Sequence, residues 1–208
     1  MNASVRGAAI LAVAVLEVTP AWAASTLRTE DPDWPCQQRL VPQLAAASYW
    51  SGPLDAGGDW RADPEVAELV RRLMPRHVTA EEGLAAITAF AKMVSGNRAH
   101  RLDLAFRGML EETNRERADL IARLRQMGHR QRELADLVAR LGDELKSVSP
   151  EAVDQRLDLQ QRHDFTARNF EEIQRTIRYA CETPVALDAR LGAWARALQQ
   201  AATEAPPS

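Results

Sequence analysis

Residues 106–148 read FRGMLEETNRERADLIARLRQMGHRQRELADLVARLGDELKSV, and the spacing within this stretch decides the fold. Apolar residues recur alternately four and three apart, at Phe106, Leu110, Leu120, Leu124, Met127, Leu134, Val138, Leu141, Leu145 and Val148. Thr113, Arg117 and Gln131 are the three polar members of the series. This is a heptad seam, the signature of a helix packed lengthwise against another helix. No proline falls between Arg98 and Lys146. Gly108, Gly128 and Gly142 each cost about 1 kcal/mol relative to alanine, yet the seam runs through all three in phase. The pattern predicts one helix of roughly 75 Å at 1.5 Å per residue, with a break at Gly128 as the alternative.

A second seam follows at Leu159, His163, Thr166, Phe170, Ile173, Ile177 and Ala180. Ser149-Pro150 is a cap followed by a proline at the first helical position, so the chain reverses there. A tight reversal at Val148–Ser149 would set Leu159 against Val138, His163 against Leu134 and Ile177 against Leu120. Thr166 would then face Gln131, with His163 one turn away. Such a polar layer sets register in paired helices; read for chemistry, it is a small polar or metal-responsive site.

The same arithmetic places Cys181 opposite Glu116, which leaves residues 98–116 without a partner in the pair. Three shorter helices are available to them. One starts at Asp63-Pro64, a cap with proline behind it, and ends at Pro75. Another opens on the capping box Thr79-Ala80-Glu81-Glu82. A last one restarts at Thr183-Pro184 and carries Val185, Leu187, Leu191, Trp194 and Leu198 on one face. The expected fold is all-α: a long antiparallel, coiled-coil-like hairpin, with helices at about 98–147 and 150–181, projecting from a small helical base. Residues 63–203 form a single all-α domain. Residues 24–62 are an irregular, Trp- and Pro-rich segment wrapping the base, and 204–208 a disordered tail.

Residues 1–23 have the layout of a cleaved signal peptide. Arg6 supplies the positive end, Gly7 to Leu16 the apolar core, and Ala21-Trp22-Ala23 the small residues read at the cleavage site. The apolar run is too short for an anchor, and Glu17 interrupts it. A periplasmic or secreted chain with no stable membrane insertion after cleavage is the expectation. In that compartment the only two cysteines, Cys36 and Cys181, read as a disulfide. In the chain-entropy account, closing so long a loop contributes about 5 kcal/mol.

The formal net charge of −3 provides no basic field for nucleic acid. Aromatic content of 5% argues against a large β core. Trp34, Tyr49, Trp50, Trp60, Tyr179 and Trp194 offer two readings: a pocket for a ligand or peptide, or rings that glue the irregular segment to the bundle. His77, His100, His129 and His163 are scattered, no two at helical-neighbour spacing, so no metal site or cofactor is expected. The acids Asp55, Asp59 and Asp63 lack the calcium-loop pattern. Nucleophile-elbow, zinc-protease, haem-attachment and phosphate-loop motifs are absent, and no enzyme is expected.

The architecture resembles exported bacterial helical-hairpin proteins such as small periplasmic chaperones and stress-response sensors, without their sequence repeats. A rigid hairpin with charged outer faces, a stapled base and no catalytic constellation lead to the expectation of non-enzymatic protein–protein contact, as an adaptor, accessory subunit or chaperone-like protein, with the hairpin, chiefly 120–177, presenting the partner surface. The alternative is a small-ligand or metal-binding module built on the Trp-rich base. Long helices of this kind are also compatible with a homodimer.

Overall fold

The computed structural model describes residues 31–51, 54 and 57–204. The signal-peptide reading at 1–23 and the last four residues of the tail lie outside the described residues. Those described are 76% helical with no strand. Five α-helices follow one another: α1 Pro64–Leu73, α2 Ala80–Met93, α3 Arg98–Ser147, α4 Val153–Ala180 and α5 Glu182–Thr203. Among the described residues, the segment before α1, called the strap below, contributes two single turns of 3-10 helix, at Ala46–Ser48 and Trp60–Ala62.

The helix starts follow from local chemistry. The Asp63 carboxylate accepts from the main-chain N–H of Glu65 and of Val66, both at 3.1 Å, and Pro64 takes the position where no N–H is needed. Thr79 and Glu82 exchange both bonds of a capping box, at 3.1 and 2.9 Å. Between α2 and α3, Gly96 at φ +58° and Asn97 at φ 28° turn the chain through the left-handed region. Glycine and asparagine are the residues that tolerate it best.

α3 is unbroken over 50 residues, so the helix does not end at Gly128. Its seam is covered throughout, since no position of the series from Phe106 to Val148 is exposed. The first third of α3 joins α1, α2 and α5 in one core around Phe106, Met109, Leu73, Ile87 and Trp194. A second, smaller core follows, in which Leu120, Ile121 and Leu124 of α3 meet Leu187 of α5 and Trp34 and Cys36 of the strap. Beyond Glu133, the buried residues of α3 and of the facing part of α4 are seam residues: Leu134, Leu141, Leu159 and Thr166.

α3 and α4 run antiparallel, in a register that differs from the expected one. At one end the Arg156 guanidinium donates to the carbonyls of Leu145 and Val148. At the other, Ala180 and Cys181 pack on the core that holds Leu120 and Leu124. In between, His163 lies over Gly142, where a Cβ would sit 3.8 Å from its Nε2. His163 was expected over Leu134. The shift is about one heptad, and its cause is the connection. Ser149 to Glu151 do not start α4; they form a turn closed by Ala152 N–H to the Ser149 carbonyl, and α4 begins only at Val153. A heptad seam fits equally well when slid by seven residues, so the longer loop decides.

At its other end α4 passes into α5 with only Cys181 between them, itself in helical conformation. Pro184 therefore lies inside the first turn of α5, where a missing N–H is tolerated. Cys36 and Cys181 are bonded, with Cα atoms 5.6 Å apart across 145 positions of sequence.

Candidate functional site

The six aromatic residues of the expected pocket do not line a common cavity. Trp194 is fully buried in the base and donates its indole N–H to the Ala80 carbonyl at 3.2 Å. Its ring lies against Gly83, where any Cβ would overlap the indole. Trp50 stacks on Phe106 with centroids 4.8 Å apart. Trp34 is buried in the second core and donates to the Gln38 carbonyl at 2.8 Å. Trp60 stays near the surface, bonded to Glu111 at 2.8 Å with the Arg61 guanidinium over its ring. Tyr179 is 75% exposed on α4 and joins none of these. The indoles of Trp34, Trp60 and Trp194 are packing groups whose polar ends are satisfied, the arrangement that lets such rings fasten a loop to a bundle.

Tyr49 is half-buried, and its hydroxyl donates to Asp188 at 2.5 Å. Burial, reinforced by that carboxylate, pushes the phenol well above its usual range, so the hydroxyl keeps its proton. Near this pair lies Arg117, the one basic residue of the α3 seam. It is buried, and donates to the carbonyls of Pro184 at 2.6 Å and Val41 at 2.9 Å. One guanidinium thus ties α3, the start of α5 and the strap together. About four turns of helix beyond Arg117, the residues of the expected polar layer separate. Gln131 stands beside Gln174 and Ile177, while the Thr166 hydroxyl turns back to the Arg162 carbonyl at 2.8 Å. The register shift leaves Gln131 and Thr166 about 10 Å apart along the axis. His163 is half-buried, 3.4 Å from Asp164. The three do not form one layer.

The strap itself is held by side chains that read its main chain. The Asn114 amide accepts from Leu44 N–H at 2.8 Å and donates to the Leu44 carbonyl at 3.0 Å. The Gln38 amide donates to the Cys181 carbonyl at 2.6 Å. Further along, Asp31 pairs with Arg125 at 2.5 Å and Asp33 with Arg132 and His129.

Two surfaces beside the paired helices are open to solvent. The first is a groove of about 900 Å³ beside the disulfide. One wall is α4 at Gln174, Ile177 and Arg178; the other is α5 at Glu182, Val185, Ala186 and Ala189; the strap at Pro35–Gln38 closes the end. Both walls follow the three-and-four spacing of a single helix face. The second is the face of α4 turned away from α3, where Val153, Leu157 and Phe165 are 58%, 56% and 61% exposed. The groove was not singled out by the sequence reading, which placed Val185 on the apolar face of the last helix, whereas it is 53% exposed. Within the hairpin, the signal for the outer face of α4 was an apolar residue off the seam, at 153, 157 and 165. Among the described residues no three His, Cys, Asp or Glu side chains come together to hold a metal ion, and no helix is long and apolar enough to cross a membrane. Comparison with protein-family models, curated proteins and solved structures finds no match to this chain.

Proposed function

We propose that this is an exported, non-enzymatic helical protein that acts by protein contact, through the outer face of α4. The observation that carries the reading is the trio Val153, Leu157 and Phe165. Each is more than half exposed on a helix whose own seam is already satisfied by α3. Large apolar side chains exposed along the outer face of such a helix are the contact groups this reading uses. The partner face sits on the part of α3 and α4 furthest from the strap and the two cores, so it is presented by stiff helices. Export is supported by the layout of residues 1–23 and by a disulfide of the kind that persists in oxidising compartments.

A photo-crosslinking residue at Leu157 or at Phe165, introduced in living cells, is expected to yield a discrete protein adduct. The same residue at Arg123, exposed on α3, is expected to yield none. A folded, disulfide-bonded protein that gives no adduct from either α4 position would sink the reading.

A further inference from the structure

We infer that the outer face of α4 pairs with α4 of a second copy of this chain, antiparallel and centred on Gln161. This occupant rests on the reading of that face as a contact surface.

Asp154, Leu157, Gln161, Phe165 and Arg168 follow one another at spacings of three, four, four and three, which aligns them in one stripe along α4. All are exposed. The stripe lies across the helix from the seam residues Leu159, Thr166 and Ile177, which are buried where α4 meets α3. Asp158 and Asp164, which flank the stripe, are already engaged, by Arg162 at 3.9 Å and by Gln160 at 2.8 Å. Within the stripe the polar ends are uncommitted. Among the described residues Asp154 and Gln161 make no hydrogen bond or ion pair, and Arg168 makes no ion pair, acting on Asp164 only through its charge.

The order of these side chains selects the occupant. A two-fold contact sets the same patch of both copies together, so each residue must suit its symmetry-related position. Here the spacing is the same on both sides of Gln161 while the charge is opposite, acid at one end and base at the other. With two α4 helices antiparallel and Gln161 on the axis, Asp154 faces Arg168 of the second copy, and symmetry makes this pair twice. Leu157 packs on Phe165 of the second copy, again twice. Gln161 meets Gln161, and a primary amide bonds its own kind because it carries both donor and acceptor. A parallel arrangement would set acid on acid and base on base, which repulsion opposes. A foreign partner requires only that the stripe match the foreign surface; complementarity to its own reversal serves a second copy. The stripe is smaller than the about 20–30 residues a side of a standard interface, and its ion pairs stay in water, so the dimer is weak and concentration-dependent.

The test is sedimentation equilibrium of the intact, disulfide-bonded chain from low micromolar to near-millimolar concentration, where monomer should pass into dimer. Asp154→Arg and Arg168→Asp should each weaken dimerisation about tenfold or more, since either change turns both ion pairs into repulsions. An equal mixture of the two variants should dimerise again, because each copy then offers the charge the other lacks. With Gln161→Cys the shortest bifunctional thiol reagents should join two copies. With Asp154→Cys they should not, since those two positions would lie about 21 Å apart along the axis. A chain that stays monomeric throughout, or charge variants that mixing does not rescue, would overturn the inference. A monomeric chain whose photo-crosslinks at Leu157 and Phe165 still capture a different protein overturns the dimer and leaves the contact reading standing; no adduct from either position removes both.

Discussion

The main-chain carbonyl of Asp33 rests on Gly128, so close that a Cβ there would overlap the oxygen. Gly128 lies in the middle of α3, where helix propensity favours alanine by about 1 kcal/mol. Gly128→Ala should nevertheless destabilise the protein, by about 1–3 kcal/mol, because the strap must be pushed off the helix. Urea unfolding checks the sign; a more stable variant would show that the strap does not need this approach.

The α3–α4 register is open to direct measurement. With Gly142→Cys and His163→Cys in one chain, the shortest bifunctional thiol reagents should join the two positions. With Leu134→Cys and His163→Cys they should not, since the shift displaces the pair by about 12 Å along the axis. The reverse pattern would restore the tight turn at Val148–Ser149.

Arg117 is buried with two main-chain carbonyls as its partners, and its Nε has none. Arg117→Ala should cost about 3 kcal/mol or more, since it strands both carbonyls and opens a cavity. It should also loosen the strap, so hydrogen exchange should quicken around Val41 and Leu44. A loss below 1 kcal/mol would contradict the role.

Asp63 caps α1 and also receives Arg101, through Nε at 2.7 Å and an Nη at 2.8 Å. The Arg101 hydrogen bonds hold its carboxyl below the usual aspartate range. A depressed value means that the stabilisation is present above the unfolded-state value, near 3.9, and is lost as pH falls through the folded one. Stability should therefore drop on going from pH 6 to pH 3, and drop less in Asp63→Asn, which keeps a cap without the charge. Asp63→Ala should cost about 1–2 kcal/mol at pH 6. An unchanged acid profile in Asp63→Asn would refute the assignment.

What was legible in the sequence is what is local or periodic. The caps at Asp63 and Thr79 need only their own neighbours. The seam of α3 is visible because every member repeats the same spacing, and two cysteines allow a single intramolecular pairing. The register was not legible, because a heptad pattern matches itself at every seventh residue and the decision falls to the few residues from Val148 to Ala152. Nor was the fate of the tryptophans. Trp34, Trp50 and Trp194 look alike in sequence, and only the tertiary arrangement distributes them over two cores. The lining of the groove comes from residues 35–38, 131, 174–178 and 181–189, which no spacing rule connects.

The Cys36–Cys181 bond also imposes an order of events. Its two ends are separated by 145 positions, and at synthesis rates of about 5–20 residues per second the first thiol waits on the order of ten seconds for its partner. The Pro184 carbonyl that shares Arg117 with the strap arrives later still. α1, α2 and α3 are thus synthesised in full before the strap has any covalent hold. With no third cysteine in the chain, the waiting Cys36 has no wrong partner within its own molecule. Its competitor is Cys36 of a neighbouring copy, and chains caught that way would persist as covalent dimers with an open strap.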